Sequence, residues 1–553
     1  MAERHPAPRL FGVETEYAVT GFDARGQPVD RAAVVEAVMR QACSSLPHLR
    51  DEFSNGMFLQ NGARFYVDAG HHPELTTPEC NTPWDVVRYI AAGEQMLADL
   101  AAGVPKRRVA QVVFYRCNVD YAGTQSTWGC HSSYMHRADP AALPAHIIPH
   151  LVSRLIYTGA GGFNNRSPGI EFMLSPRVAH MATDVSSDST HGRGIFHSKD
   201  EPLCGNGYHR LHLLCGESLC SQLATWLKVA TTALVVALIE AGGRPGDAVA
   251  LRAPVSAMNT FAGDPTCTAV APTVDGRRLR ALDIQRHYLG LVEARLREMP
   301  PWAKAGCALW RRVLDQLDSG PQAVAASLDW AIKLPLYKDR VRRRGLAWES
   351  LALWNRVAQR LAQALEATGQ RPQPLRAELL QASSGPLAEQ MKQLGPFLQS
   401  HGMSWNTFRT FLGVRQELFE IDVRFGELGE QGIFTRLDTA GVLDHQVSGV
   451  DNIASAMTEP PPIPRARLRG ALVRELANDE ERYSCDWEGV WDFRERRMID
   501  LRDPFNASSE WKAWPSDEEL ARAGGPRSRL FEHIWFLRDL ERLPGRRRAT
   551  NDR

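Results

Sequence analysis

Apolar and polar residues alternate in several short runs of the first 220 or so residues: RLFGVETEYAV, ARFYVDAG, AQVVFYRCNVD, GIEFML and HRLHLLCG. A period of two sends successive side chains to opposite faces, which predicts half-buried strands. Between them lie stretches with helical spacing, WDVVRYIAAGEQMLADLAAG and LATWLKVATTALVVALIEAG. Residues 20–60 read as one helix and a loop, and from about residue 285 to 445 the spacing is mostly helical, as in LALWNRVAQRLAQALEA. The interleaving predicts an α+β fold whose sheet is concentrated near the N-terminus.

The proline cluster EPPPIPR at 459–465 reads as a linker. A basic helix, RARLRGALVRELAN, and a tryptophan-containing segment ending near LRDPFNASSEW follow it. This predicts a large domain over 1–455, a small C-terminal domain over 456–543 and a disordered basic tail over 544–553.

Composition narrows the functional classes. The chain has 553 residues, 44% hydrophobic and 23% charged, with a formal net charge of +1. Such a balance provides no global field for nucleic acid or membrane, so neither is expected as a partner. The longest apolar run, VATTALVVALIEAG, falls short of the ~20 residues a bilayer requires and reads as a buried helix. The first residues carry no apolar signal-like segment, which makes the cytoplasm the expected location. Ten cysteines without a CxxC pair point to buried free thiols.

The run FGVETEYAV carries the first chemical signal. Glu14 and Glu16 share one strand face while Val13, Tyr17 and Val19 share the other. Two carboxylates roughly 7 Å apart resist joint desolvation unless cations sit between them, which makes this a candidate metal-binding strand. A second polar face follows in NGARFYVDAGHHPELTTPEC, where Arg64, Tyr66 and Asp68 alternate with Phe65 and Val67. His71, His72, Glu74 and Glu79 come next, gathering imidazoles and carboxylates at a strand end. Such oxygen-rich groups favour magnesium and, with it, nucleotide phosphates. Cationic partners appear in HSKDEPLCGNGYHRLHLLCG, with Lys199, Arg210 and His212 around Asp200 and Glu201. NVDYAGTQSTWGCHSSYM supplies glycines and hydroxyls for a loop approaching phosphate, although no P-loop or GxGxxG pattern is present. Each patch also has a plain structural reading, as a polar turn or a solvated edge strand.

These stretches, together with LKVATTALVVALIEAG, LDIQRHYL, LDWAIK, FEIDVRFGELGEQGIF, PPPIPRARLRG and DWEGVWDF…LRDPF, resemble the Pup ligase and Pup deamidase (depupylase) family, relatives of glutamine synthetase, in order and rough spacing. The resemblance implies a curved antiparallel sheet cradling ATP, packed against helices, with a small C-terminal domain. It implies Glu14, Glu16, Glu74 and His212 as ligands of Mg2+, Asp68 as the catalytic aspartate, and Arg210, Lys199, Tyr66, His131 and Arg177 as nucleotide contacts. It further implies that a glutamate side-chain carboxylate of Pup or a Pup-like modifier is phosphorylated by ATP and then joined to a lysine of a target protein. The alternatives are a deamidase or depupylase hydrolysing the same bond, a ligase acting on a small amine, and a non-catalytic homologue. The short 20–60 segment, where depupylases typically carry a long insertion, and Cys130 in GCH favour the ligase branch.

Three departures from the family pattern stand out. Ser132 and Ser133 replace a usual glutamate and asparagine, which the sequence reads as a carboxylate lost near the nucleotide. Lys199 replaces an arginine and Pro176 a glutamine. The basic clusters KDRVRRRG and RARLRG are candidates for gripping an acidic modifier, with solvated helix faces as the alternative.

Overall fold

The computed structural model describes residues 9–514, apart from 52–54, 69, 125, 190, 200, 202, 206, 368–374, 376–379, 478, 480 and 506–507. Asp200 and the expected tail over 544–553 lie outside the described residues.

One eleven-stranded sheet organises the molecule. In chain order its strands are β1 (Phe11–Glu16), β2 (His48–Asp51), β3 (Gly56–Leu59), β4 (Arg64–Val67), β5 (Pro73–Thr76), β6 (Cys130–His136) and β7 (His209–Leu213), followed by β8 (Tyr483–Cys485), β9 (Gly489–Asp492), β10 (Arg497–Asp500) and β11 (Lys512–Ala513). Their spatial order is β7-β6-β1-β5-β4-β3-β2-β8-β9-β10-β11. Every pairing is antiparallel except β2 with β8, which is parallel. The acidic strand β1 is therefore interior, flanked by β5 and β6.

The α+β expectation holds, and so does the helical reading beyond residue 285. Three local expectations are corrected. Residues 20–60 hold β2 and β3 as well as the helix Arg31–Ser45. These strands are only four residues long, too short to establish a period of their own. The GCHSSYM stretch is the interior strand β6 rather than loop, its polar residues arising because one face lines the site. AQVVFYRCNVD does form a strand, Gln111–Tyr115, but it pairs with Ala18–Phe22 in a separate two-stranded ribbon.

Helices cover the apolar face of the sheet. Helix α1 (Pro83–Gly103) starts with Thr82 as N-cap, its hydroxyl accepting from the Asp85 N–H, and Pro83 in the first turn. Helix α2 (Gln222–Glu240) carries the long apolar run; Leu223 to Ile239 are all buried. It is the one described helix long and apolar enough to cross a membrane, and it sits inside the protein core. Helices α3 (Asp329–Arg343) and α4 (Trp405–Phe425) build a second apolar cluster around Tyr337, Trp354, Phe408 and Leu418. Lys333 of α3 reaches Asp422 of α4 at 2.7 Å, and Tyr337 donates to the same carboxylate at 2.8 Å.

The proline segment leads into helix α5 (Pro464–Leu476), which packs on β2 and β3. Strands β8 to β11 then extend the main sheet, and Leu49, Phe58, Leu472, Val490 and Ile499 share one apolar cluster. Arg465 and Arg469 of α5 are buried against Glu79, with Arg465 Nε 2.6 Å from Glu79 Oε1. Arg465 and Arg469 of RARLRG are thus committed to an internal ion pair, which leaves only Arg467 of the three arginines exposed. Burial raises the Glu79 carboxyl, but Arg469 and Arg465 outweigh it and hold it below its ordinary value.

Candidate functional site

Register determines which side chains meet. Glu14 lies opposite His131 on β6 and Thr76 on β5, and Glu16 lies opposite Glu74. Across the next ladders Ser133 faces His212, and Tyr66 faces Glu74. Alternation then places Arg210, His212, His131, Ser133, Glu14, Glu16, Glu74 and Tyr66 on one face. Val13, Thr15 and Ser132 point to the opposite, core-facing side. This corrects the reading of Ser132: it is 1% exposed and opposite Val13, so the replaced glutamate position does not face the site. Ser133 is the member of the pair that does.

The side chains converge in a row. His131 Nδ1 lies 3.1 Å and His212 Nε2 3.2 Å from Glu14 Oε1. Tyr66 donates to Glu14 Oε2 at 3.4 Å. Farther along, His131 Nε2 is 3.7 Å from Glu16 Oε1, and His72 Nδ1 is 3.4 Å from Glu16 Oε2 and 3.2 Å from Asp68 Oδ2. The His72 N–H also donates to Asp68 Oδ1 at 2.6 Å, closing the turn after β4. Arg210 Nη1 donates to Ser133 Oγ at 3.4 Å, and Ser133 Oγ lies 3.0 Å from His212 Nδ1. With His212 neutral, this gives a directed chain in which Ser133 donates to Nδ1 and Nε2–H donates to Glu14.

The electrostatics separate the carboxylates. Burial raises Glu14, but His212, the hydrogen bond from His131 and the Arg210 charge hold it well below the usual carboxylate range. Glu16 is likewise raised by burial yet brought down to about 2 by His72, His131 and Arg177. Glu74 goes the other way: burial, then Glu14 and Glu16, push it well above the ordinary value. Its Oε1 accepts no hydrogen bond among the described residues. Burial lowers His212 to about 3 despite Glu14, whereas His72, opposed by burial, is raised to about 9 by Asp68 and Glu16.

Three overlapping groups have ligand atoms within 4.8 Å of one another: Glu14 with His131 and His212, Glu16 with Glu74 and His131, and Glu16 with Asp68 and His72. An orphaned buried carboxylate oxygen beside two further carboxylates fits a divalent cation. Imidazoles at one end widen the fit to borderline metals such as Mn2+. At the Glu14 group a metal would replace the proton on His212 Nε2, and Ser133 would then accept from Nδ1–H.

Beside Glu14 opens a cleft lined among others by Leu10, Gly12, Met135, Arg210, Arg465 and Trp487. Its largely apolar wall is the feature least visible in the sequence, because Arg465 and Trp487 arrive from the far end of the chain.

The expected residues are not all gathered here. Lys199 is 59% exposed at its side chain and pairs with Glu201 at 2.5 Å, outside the row. Glu79 is taken up by α5. Arg177 is buried at the Glu16 end, where its charge acts on Glu16. Arg193, which no sequence motif marks, acts on the same end. His72 was legible as part of the HHPE cluster, and the structure gives it a specific place between Asp68 and Glu16.

The chain is similar to known proteins over most of its length. Residues 9–370 and 387–491 match the family model described as Pup-ligase protein. A Pup–protein ligase of Xylanimonas cellulosilytica is 29% identical over 520 residues, covering 91% of this chain and 97% of that protein. A Pup deamidase/depupylase of Mycolicibacterium smegmatis is 38% identical over 306 residues, covering 53% of this chain and 60% of that protein. The fold is similar to the solved complex between the prokaryotic ubiquitin-like protein Pup and its ligase PafA, with a TM-score of 0.68, 21% identity, and coverage of 99% of this chain and 98% of that one.

Proposed function

This chain belongs to the Pup-ligase family, and from that premise we propose that it is an ATP-dependent carboxylate-amine ligase joining the C-terminal glutamate of Pup, or of a Pup-like modifier, to a lysine of a target protein. The observation that carries the reading is the trio Glu14, Glu16 and Glu74 on one sheet face, Glu16 and Glu74 buried with Glu74 Oε1 unpartnered among the described residues, and Glu14 half-buried where it lines an open cleft. A non-catalytic scaffold would have no physical use for clustered buried acids.

The cleft lined by Leu10, Gly12, Met135 and Trp487 takes the nucleotide base, and Arg210 at its inner edge meets the phosphates. Glu14, Glu16 and Glu74, aided by His131 and His212, would hold Mg2+, which when bound neutralises the triphosphate and polarises the transferred phosphoryl group. The modifier's side-chain carboxylate takes the γ-phosphoryl group, and ADP leaves. The resulting acyl phosphate is attacked by the lysine amine, with inorganic phosphate as leaving group and an isopeptide bond as product. An ammonium has no lone pair, so the lysine must lose its proton during attack. Asp68 accepts that proton, and its carboxylate is oriented by the two contacts from His72.

The test is to incubate the purified protein with ATP, magnesium, Pup and a lysine-bearing acceptor, and in parallel with a preformed conjugate. Stoichiometric ADP release with a conjugate of the summed masses less one water supports the ligase. Cleavage of the conjugate without net ATP consumption overturns it in favour of hydrolysis.

A further inference from the structure

Arg177 sits at the end of the row remote from the cleft, in the short 3-10 turn Pro176–His180. Its guanidinium is embedded, the residue being 2% exposed. Nη2 donates to the Leu214 carbonyl at 3.1 Å, and the backbone N–H donates to Glu217 Oε1 at 3.0 Å. Nε and Nη1 meet no acceptor among the described residues. Leaving two donors of a buried cation unmade is costly, so a position of this kind calls for an anionic ligand with two acceptor atoms.

A second guanidinium supports the same corner. Arg193 is anchored by Nε to the Ser189 carbonyl at 2.7 Å and by Nη1 to Thr127 Oγ1 at 2.5 Å. Burial and the Arg177 charge bring it down to about 10. His180 reports the same positive field: burial, then Arg166, Arg193 and Arg177, lower it to about 4.

The row has a direction. Arg210 and the cleft act at Glu14, whereas Arg177 and Arg193 act at Glu16. Phosphoryl transfer is roughly in line, so an acceptor carboxylate approaches from the side opposite the departing ADP. With the base in the cleft, that side is the Glu16 end. A terminal glutamate brings two carboxylates there; one is consumed and the other keeps its charge throughout. A fixed guanidinium pair matches the one that persists.

We propose that Arg177 and Arg193 bind the free α-carboxylate of the modifier's terminal glutamate rather than a nucleotide phosphate, so that glutamate is accepted only at a chain end. The proposal rests on the ligase reading above, and its test is a binding measurement that does not require turnover. Fluorescently labelled Pup is titrated into the protein with ADP and magnesium, once as the free acid and once with its terminal α-carboxylate amidated. Loss of a bidentate charge-assisted contact is expected to weaken the amide by at least about tenfold. Arg193→Met is expected to weaken the free acid severalfold, to narrow the difference between acid and amide, and to leave ADP affinity within about twofold. Arg177→Lys, which retains charge but not the fork, should fall between the two. Equal binding of acid and amide by the unaltered protein, or an Arg193→Met protein that loses ADP instead of discrimination, overturns the proposal. Conjugate formation by the free acid is scored separately, so failure of the ligase reading is seen independently.

Discussion

Glu74 is the direct partner of Glu16 across the β1–β5 ladder, and both carboxylates are buried on the site face. Burial, Glu14 and Glu16 keep Glu74 protonated well above the ordinary value of 4.5. A folded carboxyl that retains a proton the unfolded chain has lost contributes stability at low pH, and that contribution disappears as pH rises through the folded value. His72, raised to about 9, acts in the same sense, whereas the depressed Glu14 and Glu16 act only at lower pH. The metal-free protein is therefore expected to lose thermal stability between about pH 6.5 and pH 9, above the range in which the lowered His212 acts in the opposite sense, and magnesium, by replacing the proton on Glu74, to reduce that loss. Glu74→Gln should make the profile shallower, leaving the His72 contribution, and remove the magnesium effect. Melting temperatures across this range, with and without magnesium, check both statements.

Asp68 and His72 form a hydrogen-bonded turn at the end of β4. Replacing the acid by its amide removes the proposed proton acceptor while keeping the shape. Asp68→Asn is expected to lower turnover by roughly 100-fold or more and to leave nucleotide affinity nearly unchanged. Single-turnover conjugation and ADP titration separate the two effects.

Gly12 lines the cleft where β1 passes beneath it. A Cβ placed there would already approach Thr77 Oγ1 to 3.2 Å. Gly12→Val forces branched volume into this space, at an overpacking cost of about 1–3 kcal/mol. ADP affinity should fall by about tenfold or more, measured by calorimetry, with the circular dichroism spectrum preserved.

Glu79 shows how a local motif can mislead. In the sequence it closes the HHPELTTPE run and looks like another ligand, yet Arg465 and Arg469, more than 380 positions away, claim both its oxygens. Glu79→Ala leaves two buried guanidiniums without their carboxylate and should destabilise the protein by about 3–5 kcal/mol. Denaturant unfolding measures this loss.

The same contrast explains what the sequence discloses. Glu14, Glu16 and Asp68 are legible because period-two alternation sorts them onto strand faces, and Glu74 because it falls in the HHPE cluster that follows. His131 and His212 become neighbours of Glu14 only through the β6–β1 and β7–β6 registers, which strand periodicity alone does not specify. The joining of β8 to β2 is of the same kind: one parallel bridge, Ser484 with Arg50, incorporates the C-terminal strands into the main sheet. Lys199 illustrates the opposite error, since proximity in sequence to Arg210 does not bring its ammonium into the row.

The central claim is that carboxylates from separate strands together hold the divalent cation that accompanies the nucleotide. Mn2+ uptake in the presence of ADP, followed by electron paramagnetic resonance, tests it most directly. The account predicts binding by the unaltered protein and a loss of at least about 100-fold in affinity for both Glu16→Gln and Glu74→Gln. Mn2+ binding that both variants retain at full affinity would contradict it.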